Sequence, residues 1–156
     1  MISNPVKYPA MSRARAYFKA DYDWPEYNLK QKTFPITGLH FSEGRELISV
    51  DIITEEHGEI KDLRLDADKI VVQWYTGFKD KNGDLVYEGD VLKLENNHLV
   101  VFYSWNYFDW QCVDPKHWYS PYFPNFVGKA EIIEPIYENW GKWNKGIKPE
   151  IQRFLP

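Results

Sequence analysis

The sequence predicts a mainly β protein: a small, strongly bent barrel, SH3-like in type, with an irregular N-terminal arm and short accessory helices. Three observations carry this reading. Short runs rich in β-branched and aromatic residues follow one another closely from Leu47 onward. Gly, Asn and Pro stand between them, where the chain must reverse. Few windows show the periodicity of an amphipathic helix. At 156 residues the chain fits a single domain, 1–156, with one core. It divides into an irregular arm over 1–40, a β core over 45–139 and a tail over 140–156.

Taken in order, residues 1–35 are broken by Pro5, Pro9, Pro25 and Pro35, which prevent a long helix and leave only SRARAYFKADY looking regular. LISVDIITEE, the turn His57-Gly58-Glu59 and IKDLRLD read as a hairpin, because apolar and polar residues roughly alternate in the second arm. KIVVQWYT reads as a buried strand. In YTGFKDKNGDLVYEGD, Tyr75 to Asp90, the pair Asn82-Gly83 supplies the positive φ of a tight reversal, and Gly89 before Asp90 turns the chain into DVLKLE. Gly77 marks a bend. Asn96-Asn97 is a two-residue hairpin turn into HLVVFYSW, since Asn tolerates positive φ. YFDWQCVD follows, then a Pro-rich loop from Pro115 to Pro124 and a last strand within FVGKAEIIEPIYEN. KPEIQRFL makes a short helix with Pro149 in its first turn.

The apolar runs are far shorter than the roughly 20 residues that cross a bilayer, and the N-terminus lacks the apolar core of an export signal, so the expected place is a bacterial cytoplasm, with no membrane partner. The single cysteine, Cys112, excludes an internal disulfide and a multi-cysteine zinc cluster. Net charge is −4, unevenly spread: residues 1–19 carry four bases and no acid, whereas residues 43–68 carry nine acids against three bases. The acidic middle is a poor surface for a phosphate backbone.

The segment VVQWYTGFKDKNGDLVYEGDVLKL resembles the signature of the YopX family of phage and prophage proteins, in which a Q-x-T/Y-T-G-hydrophobic-x-D-x-x-G segment leads to a Y/F-E-G-D motif and a strand. FVGKAEIIEPIYEN is similar, more loosely, to the family's closing strand, and AYFKADYD to its short N-terminal strand. The resemblance implies a bacteriophage or mobile-element origin and a mainly β fold. It carries no activity to transfer.

No catalytic residue, metal ligand or cofactor is assigned. The glycines lack the G-x-x-x-x-G-K-[ST] order of a phosphate loop. Asp80, Asp84, Glu88 and Asp90 do not follow the alternation of a calcium loop. Cys112 and His117 sit among aromatics, with Asp109 and Asp114 in place of an electropositive setting, which suits packing better than a nucleophile. His40, His57 and His98 lack ligand spacing and read as surface or turn histidines.

Two function classes remain. VFYSWNYFDWQCVDPKHWYSPYFPNF holds more aromatics than one strand face hides, so part of it lies on a surface, with Trp105, Tyr107, Trp110, Trp118, Tyr119 and Tyr122 as candidate contacts. This favours a noncatalytic accessory protein that binds a host protein, or its own copies, to inhibit or divert a host system such as an antiviral defence. The alternative is a nucleic-acid-binding module in which Trp140 and Trp143 stack on bases while Lys142, Lys145, Lys148 and Arg153, with the basic N-terminal segment, follow the backbone. A sequence pI near 5.6 weighs against it. A third reading is a pocket for a nucleotide ligand, for which aromatic walls suffice but no diagnostic motif exists.

Overall fold

The computed structural model describes residues 14–18, 33–56, 58–116, 121–143, 145–152 and 155. The protein is mainly β, with two antiparallel sheets and only short helices; no closed barrel is found among the described residues. The chain divides into two compact units, Met1–Trp74 and Tyr75–Pro156.

The first unit contains β1 (Ala14–Phe18), β2 (Thr33–Phe41), β3 (Leu47–Glu56), β4 (Glu59–Asp66) and the first half of β5 (Ile70–Lys79), in the order β4-β3-β2-β1-β5. β1 overlaps AYFKADYD, the segment similar to the family's short N-terminal strand, whereas β2 corrects the expectation of an irregular arm over 1–40. β2 was concealed by its own composition, TFPITGLHF, because Pro and Gly argue against a strand interior. Pro35 is tolerated because it pairs with Arg15 of β1 before the β3 ladder begins at Ile36, so its missing N–H removes no bond on that side. The ladder then shifts register between Ile36 and Gly38. One face of these strands is apolar: Ala14, Ala16, Phe34, Ile36, Val50, Ile52, Leu65 and Ile70 pack into a single core. Strand alternation sends Asp51, between Val50 and Ile52, to the opposite face.

In the second unit the continuation of β5 pairs with β6 (Leu85–Tyr87), through Tyr75 with Tyr87 and Lys79 with Leu85. β7 (Asp90–Leu94), β8 (Asn97–Ser104), β9 (Asp109–Val113) and β10 (Glu131–Pro135) form a sheet in the order β10-β7-β8-β9. Its central strands are apolar on both faces because both are covered. Leu92, Leu99, Val101 and Cys112 pack with Phe123, Phe126 and Val127 from α1 (Phe123–Phe126) and the turn after it. Val91, Val100, Phe102 and Val113 pack with Ile136, Trp143, Ile147 and Leu155. The C-terminal segment, with α2 (Trp140–Trp143) and α3 (Pro149–Gln152), is therefore part of this core. Trp143 is fixed there by its indole N–H, which donates to Glu134 Oε1 at 2.7 Å.

The turns differ in detail from expectation. Leu94 pairs with Asn97, so the two-residue turn is Glu95-Asn96, one residue earlier than predicted, and Glu95 rather than an Asn takes positive φ (54°). Residues 80–84 form a five-residue turn between β5 and β6 in which Gly83, and not Asn82, has positive φ (84°).

Candidate functional site

The signature residues build architecture. Asp80 is buried and accepts the N–H groups of Asn82 (2.8 Å) and Asp84 (2.9 Å) on one oxygen and that of Ile132 of β10 (3.1 Å) on the other. Burial pushes its carboxyl up, but the three backbone donors outweigh this and hold it below the usual range. Thr76 donates its hydroxyl to the carbonyl of Val86, and Gly77 beside it has φ +87°. Gly89 (φ +80°) donates to Val101 and accepts from Ile136, while the fully buried Asp90 accepts the N–H of Tyr87 at 2.8 Å. None of these groups is left over for a ligand by its position at a surface.

The aromatic run splits between core and surface. Phe102, Phe123 and Phe126 are buried. Trp105, Tyr107 and Phe108, on the turn between β8 and β9, are 66%, 73% and 75% exposed. Phe108 holds a positive φ (52°), unusual for an aromatic, and the N–H of Tyr107 donates to Ser104. Tyr103, registered opposite Trp110, meets Trp105 edge-on at 5.0 Å and Trp110 at 5.1 Å. Trp110 is half-buried against the sheet core. The tip is therefore braced from below and aromatic above. Phe108 was not singled out by sequence reasoning, although it lies in the same run. Tyr122 is exposed at the residue preceding α1; Trp118, Tyr119 and His117 lie outside the described residues.

A second feature gathers part of the alternative nucleic-acid set. A cleft of about 630 Å³ is lined by Asn96, His98, Asp114, Pro115, Lys116, Lys142, Trp143, Lys145 and Gly146. Trp143 is buried and offers no open face for a base: His98 lies against it at 5.2 Å and Lys142 Nζ caps its ring at 4.2 Å. This corrects its expected role as a stacking platform. Trp140 is more exposed but stacks on Tyr137 at 6.0 Å. Lys148 is exposed but does not line the cleft, and Arg153 lies outside the described residues. Asp114 is buried, and its Oδ1 accepts the N–H of Lys116 at 2.8 Å, which fixes the turn beneath that lysine. His98 is held below its ordinary range, first by burial and then by Lys142 and Lys93.

In the first unit, Asp51 collects two partners that the sequence did not connect. Arg64 donates Nε to Oδ1 at 2.8 Å and His40 Nε2 lies 2.6 Å from Oδ2. That contact requires Nε2 to carry the proton, so the 3.1 Å approach of Arg64 Nη2 to the same nitrogen is packing and not a second hydrogen bond. Arg64 first, then His40, lowers the Asp51 carboxyl to about 2. His40 is thus a strand residue in an ion cluster and not a turn histidine. Thr37, Asp62 and Leu63 complete the shallow hollow around this cluster, whose charges already satisfy one another.

Cys112 is buried, its thiol pushed up to about 12, and its Sγ faces the carbonyl of Pro121 at 3.6 Å. At neutral pH it is a protonated packing group. Among the described residues no cluster of three or more His, Cys, Asp or Glu is placed to hold a metal, and no helix is long and apolar enough to cross a membrane.

The family described as YopX protein matches residues 24–140, a span that runs through both compact units and ends at the start of α2. No curated protein matches. Among solved structures, the crystal structure of protein EF1440 from Enterococcus faecalis is similar at 18% identity with a TM-score of 0.54, covering 84% of this chain and 96% of that one. At that identity the likeness concerns the fold.

Proposed function

The chain belongs to the YopX family, and on that footing we propose that it is a noncatalytic phage or mobile-element accessory protein that docks a protein partner through the tip between β8 and β9. The observation that supports this is the exposure of Trp105, Tyr107 and Phe108 together on one short turn, while the neighbouring Phe102, Phe123 and Phe126 fill the core. Large aromatics left in water at a braced tip give contact area with little rotamer entropy to lose, which is the profile of interface anchors. The partner in this reading is a host protein or a second copy of the chain, met in the host cytoplasm, and the outcome of docking is inhibition or diversion of a host system.

The reading needs no reacting group. Of the signature carboxylates, Asp80 and Asp90 are bound to backbone N–H groups; Cys112 is a buried thiol, and Asp51 is paired with Arg64 and His40.

The test is capture of partners from host lysate by the full chain, with nuclease present, beside sedimentation of the purified chain for self-association. Replacing Trp105, Tyr107 or Phe108 by Ala should remove about 2 kcal/mol of binding at the best anchor and leave the melting temperature unchanged. Equal capture and equal sedimentation by the triple variant would remove the tip as the docking surface.

A further inference from the structure

The cleft beside Trp143 carries a second inference, separate from the tip. Lys116, Lys142 and Lys145 converge on one concavity, and none of them is paired with a carboxylate among the described residues, in a chain whose net charge is −4. Among the described residues, the buried Asp114 is the one acid that lines the cleft, and its Oδ1 is engaged by the backbone of Lys116. Three ammonium groups without a carboxylate partner among the described residues, Lys142 also capping the Trp143 ring, form a focus of positive potential around a hollow, which draws anions and holds them where water is partly excluded. The hollow is not a bare charge patch. Pro115 and the rings of His98 and Trp143 supply apolar wall, and Asn96 offers an amide donor and acceptor together, the pair that reads a base edge. Its volume, about 630 Å³, falls inside the roughly 300–1,000 Å³ of small-molecule sites.

The wall is built by a close approach. Gly146 has φ +93°, and a Cβ there would stand 2.7 Å from the carbonyl oxygen of Pro115. Only glycine lets the segment after α2 lie against the 114–116 turn, the two segments that supply Lys145 and Lys116 to the cleft.

We infer that this cleft binds a small organic phosphate with a flat ring, of the class of nucleoside monophosphates. The phosphate sits among Lys116, Lys142 and Lys145, and the ring lies toward Pro115, His98 and Asn96. A polymer fits less well. The face of Trp143 that successive bases would need is already covered by Lys142 and His98, and Lys148 stands outside the lining.

Calorimetry on the full chain at low and physiological salt tests this with AMP, GMP, CMP and UMP, against inorganic phosphate, the matching nucleosides and a single-stranded oligonucleotide. At least one monophosphate should bind about tenfold or more tightly than both inorganic phosphate and its own nucleoside. The variant Lys116→Gln/Lys142→Gln/Lys145→Gln should lose that binding, while Lys129→Gln, an exposed lysine elsewhere in the same unit, should keep it. Circular dichroism of each variant separates lost binding from lost fold, and each single lysine variant repeats the test if the triple one unfolds. Three results overturn the inference: no monophosphate binding at millimolar concentration, binding unaltered by the lysine changes, or tight binding confined to the oligonucleotide.

Discussion

The Asp80 carboxylate accepts the backbone N–H of Ile132 at 3.1 Å across 52 residues of sequence, while its other oxygen holds the N–H groups of Asn82 and Asp84. One side chain thus closes its own turn and fastens that turn to β10. Lys81 reinforces the join through its N–H to the carbonyl of Ala130 and its ammonium to Glu131 at 2.6 Å. Asp80→Ala leaves three N–H groups without their acceptor, two of them beside solvent-exposed turn residues, and should destabilise the chain by about 2 kcal/mol or more. Urea unfolding measures this. An unchanged midpoint would mean that the turn and β10 hold each other without the carboxylate.

The glycines in this region face a conformational demand. Gly83 and Gly89 both have positive φ, 84° and 80°, where a β-branched residue is strained. Gly83→Val and Gly89→Val should each lower stability by on the order of 1 kcal/mol or more, with Gly89 the more sensitive because its N–H and carbonyl join β8 to the segment after β10. Thermal melts that match wild type for both variants would contradict this account.

What the sequence made legible follows from where its signals are local. The hairpin of β3 and β4, the turn at Gly83 and Gly89, α3 begun by Pro149 and the closing strand each depend on residues adjacent in the chain. β2 was hidden because Pro35 and Gly38 are tolerated only through pairings made elsewhere, Pro35 with Arg15 and Gly38 under Asp51. The division of aromatics between core and tip was foreseen in kind but not by residue: Phe102 and Tyr103 alternate between faces, while Phe108 is exposed by a positive φ that no propensity announces. The cleft was half visible. Lys142 and Lys145 were picked for charge, but His98, Lys116 and Asn96 join them only through β8 and the 114–116 turn. Trp143 was misjudged because an exposed and a buried tryptophan look alike in sequence.

The ion cluster of the first unit gives a pH signature. Asp51 is lowered from 3.8 to about 2, so it contributes stability that is fully present above its unfolded value and is lost as pH falls from 3.8 through about 2. A Cβ on Gly38 would stand 2.8 Å from Asp51 Oδ2 and turn the carboxylate away from His40 and Arg64. Gly38→Ala and Asp51→Asn should therefore both flatten the acid limb of the melting curve. If Asp51→Asn keeps the full wild-type acid dependence, the cluster does not couple to folding.

The cleft has a signature of the same sign in a different pH range, near neutrality. His98 is held below 6.5, chiefly by burial and then by Lys142 and Lys93, with Lys116 adding to them and Asp114 opposing. Below pH 6.5 the unfolded chain takes up a proton on this ring that the folded chain refuses, so the slope of stability with pH is positive there. Stability is therefore greatest above about pH 7 for this group and declines as pH falls, until the folded ring also titrates. His98→Asn should abolish that decline, and the imidazole resonances should report a midpoint below 6.5 in the free chain. A phosphate held by Lys116, Lys142 and Lys145 brings negative charge beside the ring and should move that midpoint upward, by the same linkage that makes binding of the anion tighten on mild acidification. A free-chain midpoint at or above 6.5 would show the ring open to water and would remove the desolvation on which this prediction rests.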